Sequence, residues 1–238
     1  MTSTETSALA ALILDTVGTQ PLTDEVRARL PERSGAIRLL PASLERDPAD
    51  PSAYYVAADG PAPQLLRVTR DNVGATPFAA TDSESIRWFA VQVNRTFLPR
   101  PQRALPAIAV GNRHPEISLP AAFEAFRTIL KKSGKNLAST VQLSATREMT
   151  TDEAIAARDG ENPTAAGHTR VSIRHLYHAG LWAAIRTGWR EGYNAEADHF
   201  IVTGSSASEI ARSVEGAKEA IQQQSCPWAD KLGRANRN

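Results

Sequence analysis

The stretch His168–Gly204 reads HTRVSIRHLYHAGLWAAIRTGWREGYNAEADHFIVTG, and it combines a predicted helix with a predicted strand. Apolar and aromatic residues favour a long helix over Val171–Trp189, and a short β-prone run covers Asp198–Thr203. The same stretch holds four of the five histidines of the chain. A long helix that leads into a strand is half of a βαβ unit, so this stretch points to an α/β fold.

The alternation of strand and helix begins upstream of this stretch. Three segments carry it: a strand at Ala107–Val110, a helix that is capped by Ser118, begins near Pro120 and ends at Gly134, and a strand at Leu137–Leu143. Downstream, Ser206 and Glu209 have the spacing of a capping box and predict a last helix. This order predicts parallel βαβ units, arranged as a partial barrel or as an open parallel sheet.

The first half of the chain has a different pattern. Helices over residues 7–17 and directly after Thr23 form an arm that packs on the main body or on a second copy. Short β-rich runs between prolines and glycines predict an antiparallel sheet or meander; they are Ala36–Leu40, Ala53–Ala58 and Gln64–Thr69. The capping box Thr81-Asp-Ser-Glu84 then predicts a helix that ends by Leu98, with Ile86, Phe89, Val93 and Phe97 at helical spacing. The predicted divisions are a helical arm (1–33), a β-rich subdomain with one helix (34–103), an α/β domain (104–226) and a tail (227–238).

Composition excludes several classes of protein. The formal net charge is +1, from 27 basic and 26 acidic side chains, so no global field draws the chain to nucleic acid or to an anionic membrane. The single cysteine, Cys226, allows no intrachain disulfide. The first residues lack the basic start of a signal peptide, and no run of roughly 18 apolar residues occurs. We therefore expect a cytoplasmic protein without a membrane partner, and nucleic acid is disfavoured as a ligand.

The topology predicts where a site would lie. In α/β proteins the loops at the carboxyl ends of the strands carry function. The loops after the three predicted strands supply the candidate side chains, which are Arg113, His114, Ser144, Arg147, Glu148 and Ser205. The turn Gly204–Ser206 precedes a helix, where free N–H groups favour an anion. No phosphate-binding loop and no GxGxxG pattern occurs, so no nucleotide cofactor is predicted.

The histidines allow two interpretations each. His175 and His178 share a helix face and could bind one metal ion, or they could pack beside Trp182. Asp198 and His199 are adjacent, so a carboxylate could move a proton beside an imidazole that binds a divalent cation. The alternative for that pair is a histidine that is hydrogen-bonded within the sheet, with Asp198 in a turn.

Two fragments resemble the tagaturonate/fructuronate epimerase family. Ser144-Ala-Thr-Arg-Glu-Met149 looks like the family's strand-end S-x-R-E-M segment with one residue inserted. In Ala184–His199, a helix ending in Gly-Trp-Arg-Glu-Gly-Tyr leads to Ala-Glu-Ala-Asp-His. The resemblance implies a barrel-like fold in which a divalent metal and acid/base groups epimerise a keto-sugar acid, with Asp198 as proton acceptor and His199 as metal ligand. After His199 the family continues with Leu-Lys, where this chain has Phe-Ile-Val-Thr.

Two functions remain open. The first is a metal-assisted epimerase, isomerase or lyase-like enzyme that acts on a small anionic sugar acid. Its catalytic groups would be Asp198 and Glu148, with His199 as the metal ligand; substrate-binding groups would be Arg147, His114, Gly204, Ser205 and Ser206. The second is a non-catalytic, homo-oligomeric assembly or binding protein. A third reading, nucleic-acid binding through the arginines at 170, 174, 186 and 190, conflicts with the near-neutral charge.

Overall fold

A computed structural model describes twelve stretches of the chain: 3–18, 20–60, 64–70, 73–77, 83–100, 102, 106–112, 114–135, 137–143, 173–197, 204–212 and 214–215. The elements of the first half are α1 (Ser3–Val17), α2 (Asp24–Ala28), β1 (Arg33–Ser34), β2 (Ile37–Arg46), β3 (Tyr54–Asp59), β4 (Gln64–Val68), β5 (Val73–Pro77) and α3 (Ser83–Trp88). Those of the second half are β6 (Ala107–Asn112), α4 (Pro115–Ser133), β7 (Ala138–Leu143), α5 (Ile173–Thr187) and β8 (Asn194–Ala197). Residues 207–212 are also helical. Within these stretches, no helix combines the length and apolarity that a lipid bilayer crossing requires.

The first five strands form an antiparallel meander, which confirms the predicted sheet. Strand β2 continues past Pro41, where the sequence predicts its end, because the register with β3 shifts between Leu40 and Glu45. Proline cannot donate to a strand ladder, and a bulge accommodates it. The Ser43 hydroxyl fills the gap by accepting from the Ala57 N–H at 2.8 Å and donating to the Leu40 carbonyl at 2.6 Å.

The two N-terminal helices cover one face of the meander. A hydrophobic core joins the apolar side of α1 to the sheet and includes Leu9, Ile13, Val17, Val26, Leu39, Val56, Leu66 and Val68. Helix α2 begins as predicted, with the Thr23 hydroxyl accepting from the Val26 N–H at 3.3 Å. The helical arm therefore packs on the body of its own chain.

The helix that was predicted to follow Glu84 and to end by Leu98 is not one continuous α-helix, so this prediction is wrong in part. Helix α3 ends at Trp88, a π-helical turn covers Phe89–Val93, and a 3-10 turn covers Arg95–Phe97. The wider π-turn changes the phase of the side chains, and Phe89 and Phe97 still both reach the core, where their rings stack at 6.0 Å.

Strands β6, β7 and β8 form a parallel sheet, so the predicted βαβ arrangement is confirmed. Strand β8 covers Asn194–Ala197, ahead of the predicted strand Asp198–Thr203, which lies outside the described residues. Helix α4 begins at Pro115, so the predicted start near Pro120 with Ser118 as its cap is wrong. Pro115 occupies the first turn, where its missing N–H costs nothing, and the Ser118 hydroxyl donates to the His114 carbonyl at 2.8 Å. Gly134 ends the helix as predicted, with φ of 62°.

Helix α5 lies between the two sheets. It contacts β2 of the first sheet, β7 and β8 of the second, and the helices α3 and α4. A single core therefore joins both halves of the chain; its members include Tyr55, Leu65, Phe89, Phe97, Phe123, Leu181, Trp182, Trp189 and Tyr193. The predicted domain boundaries stay predictions, but the two sheets share this apolar core.

Candidate functional site

The three parallel strands are in register at the carboxyl ends of their described stretches. Asn112 of β6 pairs with Leu143 of β7, and Leu143 pairs with Ala197 of β8. These residues are the last of their strands, so the carboxyl ends of all three meet at one edge of the sheet. This carboxyl edge is where α/β proteins bind ligands.

His114 is the described candidate that lies nearest in sequence to this edge. It is the N-cap residue of α4 and is exposed, and its carbonyl accepts from the N–H groups of Ile117 at 3.1 Å and Ser118 at 2.8 Å. Its side chain makes no capping hydrogen bond. The backbone of His114 thus starts the helix, and its imidazole takes no part in capping it.

The turn Gly204–Ser206 is formed as predicted, and it already holds an anion from its own chain. The Glu209 carboxylate accepts from the N–H groups of Ser205 at 2.9 Å and Ser206 at 3.1 Å, and from the Ser205 hydroxyl at 3.0 Å. The Glu209 N–H lies 3.3 Å from the Ser206 hydroxyl oxygen, which completes the capping box. The N–H of Ser205 is the first cause that holds the pKa of Glu209 below its usual range. A ligand at this turn has to displace that carboxylate.

Gly204 shapes this turn. Its φ is 134°, and a Cβ added there would lie 2.6 Å from Cβ of Glu209. Only glycine allows the chain to return so closely on Glu209.

The remaining candidates that the sequence predicts for this edge lie outside the described residues. They are Arg113, Ser144, Arg147, Glu148, Asp198 and His199. Among the residues that the structure describes, no group of three His, Cys, Asp or Glu side chains is placed to hold a metal ion.

Of the helical histidines, His178 is buried and packs edge-on against the Tyr177 ring, with centroids 5.4 Å apart. Its neighbour Trp182 is also buried. The side chain of His175 is outside the described set. For His178 the geometry favours the packing interpretation over metal binding.

The turn between α5 and β8 has a structural role that the sequence analysis did not predict. Trp189 is 1% exposed, its indole N–H donates to the Gly192 carbonyl at 2.9 Å, and its ring lies 5.6 Å from that of Phe123. Arg190 donates from Nη2 to the Ala42 carbonyl at 2.8 Å and forms an ion pair with Glu45. The Gly-Trp-Arg-Glu-Gly segment therefore joins the two sheets.

Two of the four arginines that the nucleic-acid hypothesis names, Arg186 and Arg190, have described side chains, and both pair with acids of the first sheet. Arg186 pairs with Asp59 of β3 at 3.0 Å, and Arg190 lies beyond the end of the helix and pairs with Glu45. Their side chains are 27% and 19% exposed. Both guanidinium groups are engaged within the protein, so these two arginines do not supply the nucleic-acid surface that their spacing allowed.

Comparison with known proteins gives one structural likeness. No protein-family model matches the sequence, and neither does any curated protein. The glycerol-complexed crystal structure of the fructuronate-tagaturonate epimerase UxaE from Cohnella laeviribosi shares 14% identity and a TM-score of 0.45. The match covers 76% of this chain and 33% of that chain, so this protein spans about a third of the epimerase's length. That enzyme belongs to the family that the fragments Ser144–Met149 and Ala184–His199 resemble.

Proposed function

We propose that the carboxyl edge of the parallel sheet binds a small anionic molecule of the sugar-acid type and catalyses a proton transfer on it. The reaction class is that of an epimerase, an isomerase or a lyase, assisted by a divalent metal. The observation that carries the proposal is the parallel register of β6, β7 and β8, which places Asn112, Leu143 and Ala197 side by side at one edge of the sheet. At such an edge, side chains from separate loops can act on one ligand.

The sequence after each strand end supports this placement. His114 follows β6 by two residues, Arg147 and Glu148 follow β7 within five, and Asp198 and His199 directly follow β8. Each strand thus leads into at least one side chain that can move a proton, bind a cation or pair with an anion. The sequence resemblance to sugar-acid epimerases independently selects Asp198 and His199.

The roles follow from what epimerisation requires. A proton must leave a carbon next to a carbonyl group and return to the opposite face, which calls for acid/base groups. Asp198 takes this role, and Glu148 is the second carboxylate. Arg147, with its bidentate guanidinium, pairs with the substrate carboxylate, and His114 donates to it. Ser205 and Ser206 bind the same charge once Glu209 has moved away.

The metal part of the proposal rests on His199 and on the resemblance. When bound there, a divalent cation supplies positive charge beside the oxygen atoms of the substrate. A neutral imidazole is a common ligand for such a cation, and a carboxylate such as Glu148 is another.

The test combines turnover with metal binding. The full chain is incubated with tagaturonate or fructuronate in the presence of Mn²⁺, Zn²⁺ or Mg²⁺, and the products are followed by NMR. We expect epimerisation that Asp198→Asn abolishes, and a metal-induced rise in the melting temperature that His199→Ala removes. Asp15→Asn makes the same chemical change at an exposed position on α1 and should leave turnover unchanged.

Absence of both turnover and metal-induced stabilisation in the folded wild-type chain would overturn the proposal. A size measurement then decides the alternative, because a large ordered oligomer without turnover is the expected behaviour of an assembly protein.

A further inference from the structure

A groove lies at the other end of α4 and α5. Two adjoining cavities of about 470 and 480 Å³ are both lined by Asp24, Arg127, Gly188 and Arg190, and we refer to them together as the arginine groove. Since Gly188 and Arg190 lie between the end of α5 and the start of β8, the groove is at the amino-terminal edge of the parallel sheet. Its volume is that of a small-molecule site, and it is separate from the carboxyl edge.

The buried floor of the groove has more positive than negative charge. The guanidinium groups of Arg27 and Arg190 both pair with one carboxylate, that of Glu45. All three side chains are largely buried, with 10%, 19% and 10% exposed for Arg27, Arg190 and Glu45. One positive charge of the floor is therefore left for a group that comes from the solvent side.

In the structure the Asp24 carboxylate supplies the negative charge on the solvent side of these arginines. This carboxylate lies 3.0 Å from Nη1 of Arg27 and 3.9 Å from Nη1 of Arg190. The Asp24 side chain is 84% exposed, so water competes for it and the pair contributes little to stability. Because it is held weakly, an anion with more donors around it can replace it.

The opposite wall supplies those donors. Arg127 is fixed by bonds to the Thr187 carbonyl at 2.6 Å and to Glu124 at 2.7 Å, which leaves its Nε and part of each terminal nitrogen for other partners. Lys135 lines the second of the two cavities, the one of about 480 Å³, together with Arg127. The other acids that line the groove, Glu32 and Glu191, are exposed and thus well hydrated.

We propose that the arginine groove binds a small oxyanion, the carboxylate or phosphate group of a soluble molecule, in place of the Asp24 carboxylate. Arg127 and Arg190, which line both cavities, contact the anion, with Arg27 on the floor of the first cavity and Lys135 on the wall of the second adding positive charge. This site is independent of the reaction proposed for the carboxyl edge.

The test removes the internal competitor. Binding of inorganic phosphate and of citrate to the full chain is measured by calorimetry at low ionic strength, for wild type and Asp24→Asn. Loss of the Asp24 charge should tighten binding about fivefold, because the anion no longer displaces a carboxylate. Arg127→Gln and Lys135→Gln should each weaken it by a similar factor. The preference between phosphate and citrate identifies which oxyanion the groove favours.

Asp50→Asn is the matched control. Asp50 also pairs with an arginine, Arg67 at 3.1 Å, on a partly exposed loop that does not line the groove. This variant should bind like wild type. The proposal is overturned if folded Asp24→Asn binds neither anion, or if it binds no more tightly than Asp50→Asn.

Discussion

Arg190 donates from Nε to Oε1 of Glu45 at 3.0 Å and thereby joins the turn after α5 to strand β2, across 145 residues of sequence. Glu45 also accepts from Arg27 of α2 at 3.3 Å. Three separate parts of the chain thus meet at one buried carboxylate.

Glu45→Gln should be strongly destabilising. The amide removes the negative charge and leaves the guanidinium groups of Arg27 and Arg190 buried against each other. Removing one partner of a buried ion pair costs about 3–5 kcal/mol, so the free energy of unfolding should fall by about 3 kcal/mol. Urea denaturation followed by circular dichroism measures the change.

Glu124→Gln is the control for this change. Glu124 pairs with Arg127 at 2.7 Å, but their side chains are 56% and 44% exposed. An exposed pair contributes at most about 1 kcal/mol, so this variant should unfold close to wild type. Equal losses in both variants would show that the Glu45 joint has no special role.

Gly188→Ala should cost more than Gly134→Ala. Both glycines have φ near +60°, where a Cβ is strained by about 1–2 kcal/mol. A Cβ at Gly188 would also lie 2.6 Å from the Ala42 carbonyl oxygen, whereas at Gly134 no atom lies within 4 Å. Because of this clash we expect Gly188→Ala to lose about 2 kcal/mol more than Gly134→Ala in denaturant titrations. Similar losses would mean that β2 moves aside freely.

Asn194→Ala should loosen the start of β8. The Asn194 amide donates to the Thr140 hydroxyl at 3.1 Å, and its oxygen accepts from the Gln102 N–H at 2.9 Å. Thr140 is 2% exposed, so its hydroxyl loses a buried partner, at a cost of about 1–2 kcal/mol. Asn194→Asp keeps the acceptor for Gln102 and should lose less. Amide exchange by NMR reports on β8, and unchanged protection in the alanine variant would contradict the prediction.

The cap at Glu209 should depend on pH. Its pKa is lowered, first by the bond from the Ser205 N–H, so the carboxylate form is favoured in the folded state. The contribution of the cap is therefore present above the ordinary carboxyl pKa of about 4.3 and is lost as pH falls through the lowered value. NMR hydrogen exchange should show that the protection of the Ser205 and Ser206 amide protons, relative to the intrinsic exchange rate at each pH, decreases at low pH. In Glu209→Gln this pH dependence should disappear, and its persistence would assign it to another group.

The fold class was predictable because its signals are local. Pro and Gly clusters marked the antiparallel strands, the alternation after residue 104 marked the parallel ones, and Thr23 and Gly134 marked helix ends. Where two local signals conflicted, tertiary contacts decided. Pro115 and Pro120 are each compatible with the first turn of a helix. In the structure α4 begins at Pro115 and contains Pro120 in its interior. Strand β2 crosses Pro41 because the Ser43 hydroxyl replaces a backbone acceptor of β2 for the Ala57 N–H of β3.

The candidate site was predictable only as a position. Parallel pairing of β6, β7 and β8 brings their ends to one edge, as the alternation of elements indicated. The pairing of Arg190 with Glu45 was not predictable, because no local pattern connects residues 145 positions apart. The spacing of the arginines allowed a partly shared face, which the near-neutral charge disfavoured, and it gave no sign that Arg186 and Arg190 pair with acids from the first sheet.

The ion pairs at Glu45 that join the sheets lie away from the edge proposed to bind a ligand. Trp189, Arg190 and the glycine turn that hold the sheets together lie at the amino-terminal edge of the parallel strands, and Asn112, Leu143 and Ala197 lie at the opposite edge. Residues that follow these three strand ends in the sequence can therefore be exchanged without disturbing the contacts of Glu45 with Arg27 and Arg190. A chain built in this way can acquire new ligand specificities by loop substitution while its thermal tolerance stays nearly constant.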